Sequence, residues 1–326
     1  MSFQNQAQLN QHCETIMQSP RIKNKIVVLC EGNINAIQGR ASPQSYRSLE
    51  KMPDANFYKA CIPKWWTQKR PEFFVCGDRK DVVDTFLTLL ELHSTPRQDS
   101  YLNSEKLFAI VDLDIQFQEI SQNYPFSDTE AIFEHLYYEA KVNKTKANQH
   151  RIWVTGLIHK EAYFIEPALQ SVFDTFPIKL NFNSVPLKLE DIYLAMSENM
   201  ENDIDLKNNF KTCHRINYCT GLDCNSIESL TNSWQKQFKT KTTLNKTQKD
   251  ELIYALLTII KAKNYWKKIA PKLGEWTGTP AQLRDQLTLA IGEFYSKAGE
   301  EENTEYHIPV FFKTAPKNLI LYNETL

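Results

Sequence analysis

The sequence predicts an α/β fold: a parallel sheet flanked by helices, followed by a mainly helical C-terminal domain. Three observations carry the general architecture. Two short apolar runs, Ile26–Cys30 and Leu107–Val111, stop abruptly at turn or acidic residues, as strands buried on both faces do. Stretches with helical periodicity lie between such runs, and strands alternating with helices build parallel sheets through right-handed crossovers. After Phe176 this alternation ends and longer amphipathic patterns take over.

The chain has 326 residues, more than one ordinary core holds. The expected division is an N-terminal arm (1–24), an α/β domain (25–176) and a mainly helical domain (177–326). At 42% hydrophobic and 24% charged, the composition is that of a globular protein. A formal net charge of −1 excludes a global field that draws in nucleic acid, so any anion-binding surface must be local. Seven Cys without a disulfide-like spacing, and no leader-like start, lead us to expect a reducing cytoplasm. No apolar stretch reaches the length of a membrane span, so no membrane partner is expected.

In chain order, residues 1–24 are polar and read as a frayed arm or a short surface helix. The strand ending at Cys30 runs straight into Glu31-Gly32, an acid before a residue that allows a tight turn. Residues 33–54 have no period and read as an inserted loop. Asn56–Cys61 reads as a short helix stopped by Pro63. Glu72–Cys76 is the next strand, closed by Gly77, and Asp78 suits the N-cap of the helix that follows. Leu107–Val111 is a further strand and ends in Asp112-Leu113-Asp114. Ser127 and Glu130 are spaced as a capping box. Arg151–Thr155 is another strand, and Lys160–Phe173 a helix that Pro167 should kink or divide. Beyond the linker, Leu189–Met200, Lys246–Ile269 and Thr279–Ser296 read as helices, and Ile308–Lys313 and Leu319–Tyr322 as short strands or docked tails.

The chemistry concentrates at strand ends. In an extended chain Asp112 and Asp114 point the same way, and two neighbouring carboxylates repel unless a proton or a hard cation such as Mg2+ separates them. Glu31 also sits at a carboxyl end, the side of a parallel sheet where functional crevices lie. Adjacent strands are about 4.8 Å apart, so acids on two strands can share one ion.

The segments IVVLCEG (Ile26 to Gly32) and FAIVDLD (Phe108 to Asp114) resemble the Toprim domain shared by topoisomerases, primases and overcoming-lysogenization-defect (OLD) nucleases. KEAYFI (Lys160 to Ile165) is similar to the Glu-x-Tyr segment of stand-alone, OLD-like Toprim proteins that accompany ATPases in bacterial anti-phage systems. Asn56–Tyr58, Phe74–Gly77 and Val82 fit the same subgroup, and the resemblance covers roughly residues 25–170. It implies a nuclease using Mg2+ (or Mn2+) to cleave phosphodiester bonds in RNA or DNA as an effector of antiviral defence. It also implies an ABC-type ATPase partner; a homo-oligomer is compatible with the near-neutral chain. Glu31 is expected as general base or metal ligand, Asp112 and Asp114 as metal ligands, Glu161 as a further ligand, and Lys160 at the scissile phosphate. The alternative is a catalytically silent module that docks to, or senses through, the ATPase. A third reading makes Asp112 the nucleophile of a phosphoryl transfer.

Two basic regions are expected to meet nucleic acid. Lys64, Trp65, Trp66, Lys69 and Arg70 interleave aromatics with cations, the pattern of base stacking beside phosphate contacts. Lys263, Lys267 and Lys268 surround Tyr265 and Trp266 in the second half. Cys213, His214, Cys219 and Cys224 lack the C-x-x-C spacing of strong zinc sites and read as buried thiols.

Overall fold

A computed structural model describes residues 3–32, 53–64, 66, 70–94, 100–120, 124–240, 245–298 and 307–314. Of the expected elements, the inserted loop after Gly32 lies outside the described residues up to position 52, as do Leu319–Tyr322.

The polar start forms a helix, α1 (Gln6–Met17), capped by the Asn5 side chain, which accepts from the Gln8 N–H. Its apolar residues Leu9, Cys13, Ile16 and Met17 are buried, so this segment is a docked helix rather than a frayed arm. Strand β1 (Val27–Cys30) is buried throughout. Helix α2 (Pro53–Ala60) precedes β2 (Glu72–Val75). Helix α3 (Arg79–Ser94) starts from a reciprocal cap: Asp81 N–H donates to the Asp78 carboxylate at 3.0 Å, and Asp78 N–H to that of Asp81 at 3.1 Å. Strand β3 (Leu107–Val111) is buried at all five positions. Helix α4 (Thr129–Leu136) is capped by Asp128, which accepts from Ala131 N–H at 2.8 Å. Ser127 therefore lies outside the cap, and Glu130 pairs elsewhere. A short hairpin, β4 (Tyr137–Tyr138) and β5 (Lys141–Val142), leads to β6 (Ile152–Val154).

The central sheet has the order β2-β1-β3-β6, and every pairing in it is parallel. The chain passes from β1 outward to β2, then returns across β1 to reach β3. The direction of winding reverses between β1 and β3, where an α/β sheet opens a crevice at its carboxyl edge. The register places Cys30 opposite both Val75 and Ile110. Glu31 therefore emerges beside the end of β3.

After β6 the predicted helix over 160–173 divides as the proline requires. Lys160–Ile165 and Pro167–Leu169 are 3-10 turns, and only α5 (Gln170–Asp174) is α-helical. The C-terminal region is largely helical, with α6 (Leu189–Glu198), α7 (Ile204–Asn208), α8 (Ile227–Lys239) and α9 (Lys246–Ile259). It also holds a small antiparallel sheet of β7 (Leu180–Phe182), β8 (Val185–Pro186) and β9 (Ile269–Pro271), which the sequence pattern did not suggest. The long helix expected over 246–269 stops when Ile260 turns extended. A single turn, α10 (Lys263–Trp266), then lays Trp266 against Phe164 and Phe173. Tertiary burial of that indole outweighs continuation of the helical period.

The last helices return to the first half. Helix α11 (Pro280–Ala298) crosses α2 so closely that a side chain at Gly292 would overlap Ala60. Tyr295 donates its hydroxyl to the Tyr163 carbonyl, and Ser296 to that of Ile62, at 2.7 and 2.8 Å. Residues 307–314 form a helix, α12, not a strand. Phe311 meets Phe108 and Trp153, and Phe312 meets Phe73 and Trp66. Position 176 thus marks a change of architecture, while one continuous hydrophobic core runs from Leu9 to Phe312. Among the described residues no helix is long and apolar enough to cross a membrane.

Candidate active site at the carboxyl edge of the sheet

Three strand ends are tied together by their acids. Glu31, just past β1, accepts the Asp112 backbone N–H on Oε1 at 2.7 Å. Asp112, just past β3, accepts the Lys160 N–H on Oδ1 at 3.1 Å. Lys160 opens the turn that follows β6. The loops on the outer side are held by two glycines, Gly32 and Gly77, whose N–H and carbonyl groups exchange hydrogen bonds of 2.8 and 2.9 Å. Both glycines have positive φ, 151° and 90°, which a β-carbon disfavours.

The electrostatics divide the acids into two kinds. Burial, then the charge of Glu31 and of Glu161, pushes the Asp112 carboxyl well above its usual range. Burial likewise raises Glu31, although the Asp112 N–H, Arg79 and Lys160 oppose the shift. Asp114 and Glu161 behave oppositely. Burial favours their neutral forms, but the Ile115 N–H and Lys261 keep Asp114 low, and His159, Lys160 and Lys263 keep Glu161 low. Lys160 is depressed by burial, against the upward pull of Glu161, Cys30 and Glu31.

Asp114 departs from the sequence expectation. Strand β3 ends at Val111, so the alternation that would align Asp112 with Asp114 stops before either. Asp114 has φ 49°, a left-handed conformation that aspartate tolerates better than most residues. Its Oδ1 accepts from Ile115 N–H at 2.7 Å and lies 3.2 Å from Lys261 Nζ. Its carbonyl accepts from the Arg215 guanidinium at 2.7 Å.

Glu31, Asp112, Lys160 and Glu161 are therefore one cluster, with Asp114 at its margin. No three of these acids bring ligand atoms within 4.8 Å of one another. Among the described residues, the only three His, Cys, Asp or Glu side chains whose ligand atoms all lie within 4.8 Å are Glu130, Glu134 and His214. The carboxylates of Glu31 and Asp112 each accept a backbone N–H. The donor set of the cluster is still all oxygen, which suits Mg2+.

The basic candidates separate. Trp66 is a core residue, 5% exposed and edge-on to Phe312 at 5.7 Å, so its ring is not open to a base. Lys64 and Arg70 are exposed; Trp65 and Lys69 lie outside the described residues. Lys263 reaches the site itself, 3.8 Å from Glu161. Lys267 and Lys268 are exposed, and the Lys268 ammonium covers the Tyr265 ring at 5.5 Å. Cys213 and Cys219 are buried thiols, pushed up to about 12 by burial.

Several residues at the site were not singled out by sequence reasoning. Arg79, the first residue of α3, donates to the Leu113 carbonyl at 2.7 Å. It follows the carboxyl end of β2, so the strand-end rule that identified Glu31 would have found it. Tyr58, buried on α2, lies in the field of Asp112 and Glu31. Thr155 accepts the Leu113 N–H at 2.9 Å. His159 stands 3.4 Å from Glu161. Arg215 comes from a distant turn and had no local signal.

No protein-family model, no curated protein and no solved structure matches this chain.

Proposed function

We propose that the chain is a Mg2+-dependent (or Mn2+-dependent) nuclease that hydrolyses phosphodiester bonds in RNA or DNA at the β1–β3 crevice. The observation that carries this reading is the contact of the Glu31 carboxylate with the Asp112 N–H at the point where the winding reverses. Two buried acids, each raised, are held together there. Such a pair gains from a divalent cation that removes their mutual repulsion. A bound Mg2+ supplies charge neutralisation on the phosphoryl oxygens and the leaving oxygen.

The chain's own residues fit the remaining tasks. Burial raises Glu31, which makes its carboxylate a stronger base than a solvated one. Lys160, Lys263 and Arg79 bring basic side chains to the same acids, where they would offset the charge of a phosphate. Lys64, Arg70, Lys267 and Lys268 are exposed cations available for the nucleic-acid backbone. A place in anti-phage defence and an ABC-type ATPase partner rest on the sequence resemblance to OLD-like Toprim nucleases alone.

The test is cleavage of end-labelled RNA and DNA in Mg2+, then in chelator. Cleavage that needs the metal and disappears in Glu31→Gln and Asp112→Asn, with both variants folded, supports the reading. Full activity in both variants overturns it.

A further inference from the structure

His159 lies at this edge and has no role in the proposed chemistry. It is 7% exposed, and neither ring nitrogen has a hydrogen-bond partner. An imidazole that loses water on both nitrogens without compensation costs free energy, so its position calls for a ligand. Its Nδ1 lies 3.4 Å from Glu161 Oε2 but is not aligned as a hydrogen bond. Two donor atoms, each about 2.1 Å from one ion and near the tetrahedral angle, stand about 3.4 Å apart. The other oxygen of Glu161, Oε1, is the one facing Lys263, which leaves Oε2 for a cation.

We propose that His159 and Glu161 are joint ligands of a second cation position beside the Glu31–Asp112 pair, one that selects a first-row transition dication over Mg2+. This rests on the metal-dependent reading above and adds a nitrogen donor to it. Mg2+ takes oxygen ligands and dehydrates reluctantly, whereas imidazole suits transition metals. Glu161, kept low by His159, Lys160 and Lys263 despite its burial, is ionised and ready to ligate. A ligand pair two residues apart, following β6, adds a third strand end to the two that already meet.

The full-length protein is loaded with Mn2+ and read by electron paramagnetic resonance, with pulsed detection of nitrogen-14 coupling. The wild type is expected to show imidazole nitrogen modulation and to prefer Mn2+ over Mg2+ by about tenfold or more in competition. His159→Gln should lose the modulation and bring that preference toward unity. Glu161→Gln, which leaves the imidazole in place, should weaken the same site. Bound Mn2+ without nitrogen modulation in the wild type overturns the His159 assignment and leaves the Glu31–Asp112 reading standing. Modulation that persists in His159→Gln also overturns it, since the nitrogen then comes from elsewhere. Absence of Mn2+ binding altogether overturns both.

Discussion

The Glu31 carboxylate accepts a 2.7 Å hydrogen bond from the backbone N–H of Asp112, a residue 81 positions later. The contact joins the ends of β1 and β3 and puts each acid in the other's field. Both have raised folded-state values, Glu31 first through burial and Asp112 through burial and then Glu31. A raised acid contributes stability that is fully present below its unfolded pKa and is lost as pH rises through the folded value. At neutral pH the pair therefore destabilises the metal-free fold.

It follows that Glu31→Gln, whose amide oxygen still accepts the Asp112 N–H, should melt a few degrees higher than wild type at pH 7 in chelator. The same variant should cut no nucleic acid in Mg2+. Calorimetry on the two proteins checks the first statement. A variant that melts lower than wild type would show that the carboxylate is a net stabiliser.

Another buried acid, outside the Glu31–Asp112 pair, tests the same sign. Glu166 is 1% exposed and accepts the Tyr254 hydroxyl at 3.1 Å. Burial raises it to about 8. Its contribution is greatest below about 4.5 and declines as pH climbs to about 8. Glu166→Gln keeps an acceptor for the tyrosine and removes the titration. Urea denaturation across that window should give a flatter stability profile for the variant, with its advantage over wild type growing toward pH 8.

The sheet was legible because its central strands are apolar at every position, a signature that tertiary context does not overturn. Val27–Cys30 and Leu107–Val111 are buried throughout. The placement of Glu31 and Asp112 was legible for the same reason: an acid directly after such a strand has nowhere to go but the carboxyl edge. What failed was reasoning that extended a local period beyond its element. Asp114 lies past the end of β3, where a positive φ cancels the alternation. The helix over 246–269 breaks because Trp266 is buried against Phe164. Trp66 reads as a platform for bases in a run of cations, yet its partner is Phe312, far along the chain. The environment of His159 had no signature, since burial without a hydrogen-bond partner depends on the whole fold.

Arg215 illustrates a contact that only the fold reveals, and it carries a prediction. Its buried guanidinium forks onto the Glu130 carboxylate, with contacts of 2.9, 3.2 and 2.5 Å, and also donates to the Asp114 carbonyl at 2.7 Å. Burial works against Glu130 ionising, but the His214 and Arg215 contacts bring it down to about 2. A depressed acid adds stability above about 4.5 that is lost as pH falls toward 2. Removing the guanidinium leaves Glu130 without its main partner and frees the Asp114 turn. Arg215→Ala should cost about 3–5 kcal/mol, and Arg215→Lys should recover only part, because an ammonium cannot bind both groups in the same fork. Denaturation at pH 7 and pH 3 checks both, and the deficit of Arg215→Ala should shrink at the lower pH.

One histidine of α12 hydrogen-bonds into the first half of the chain, and its protonation state follows from those hydrogen bonds. The Tyr163 hydroxyl accepts the N–H groups of Gly156 and Leu157 at 2.7 and 3.2 Å, which fills both lone pairs. Its own proton therefore goes to His307 Nδ1 at 2.8 Å, and the Nε2–H of His307 donates to the Ala140 carbonyl at 2.8 Å. Burial lowers His307 to about 4, so the neutral ring persists at physiological pH. A side chain at Gly156 would overlap that ring. Gly156→Ala should cost about 1–3 kcal/mol by overpacking. His307→Ala should cost a similar amount by leaving the tyrosine proton unpaired. Because the two changes act on the same space, the double variant should lose clearly less than the sum, as a double-mutant cycle in urea would measure. Strict additivity would place the Gly156 clash elsewhere and detach α12 from the strand-end loop that positions Lys160.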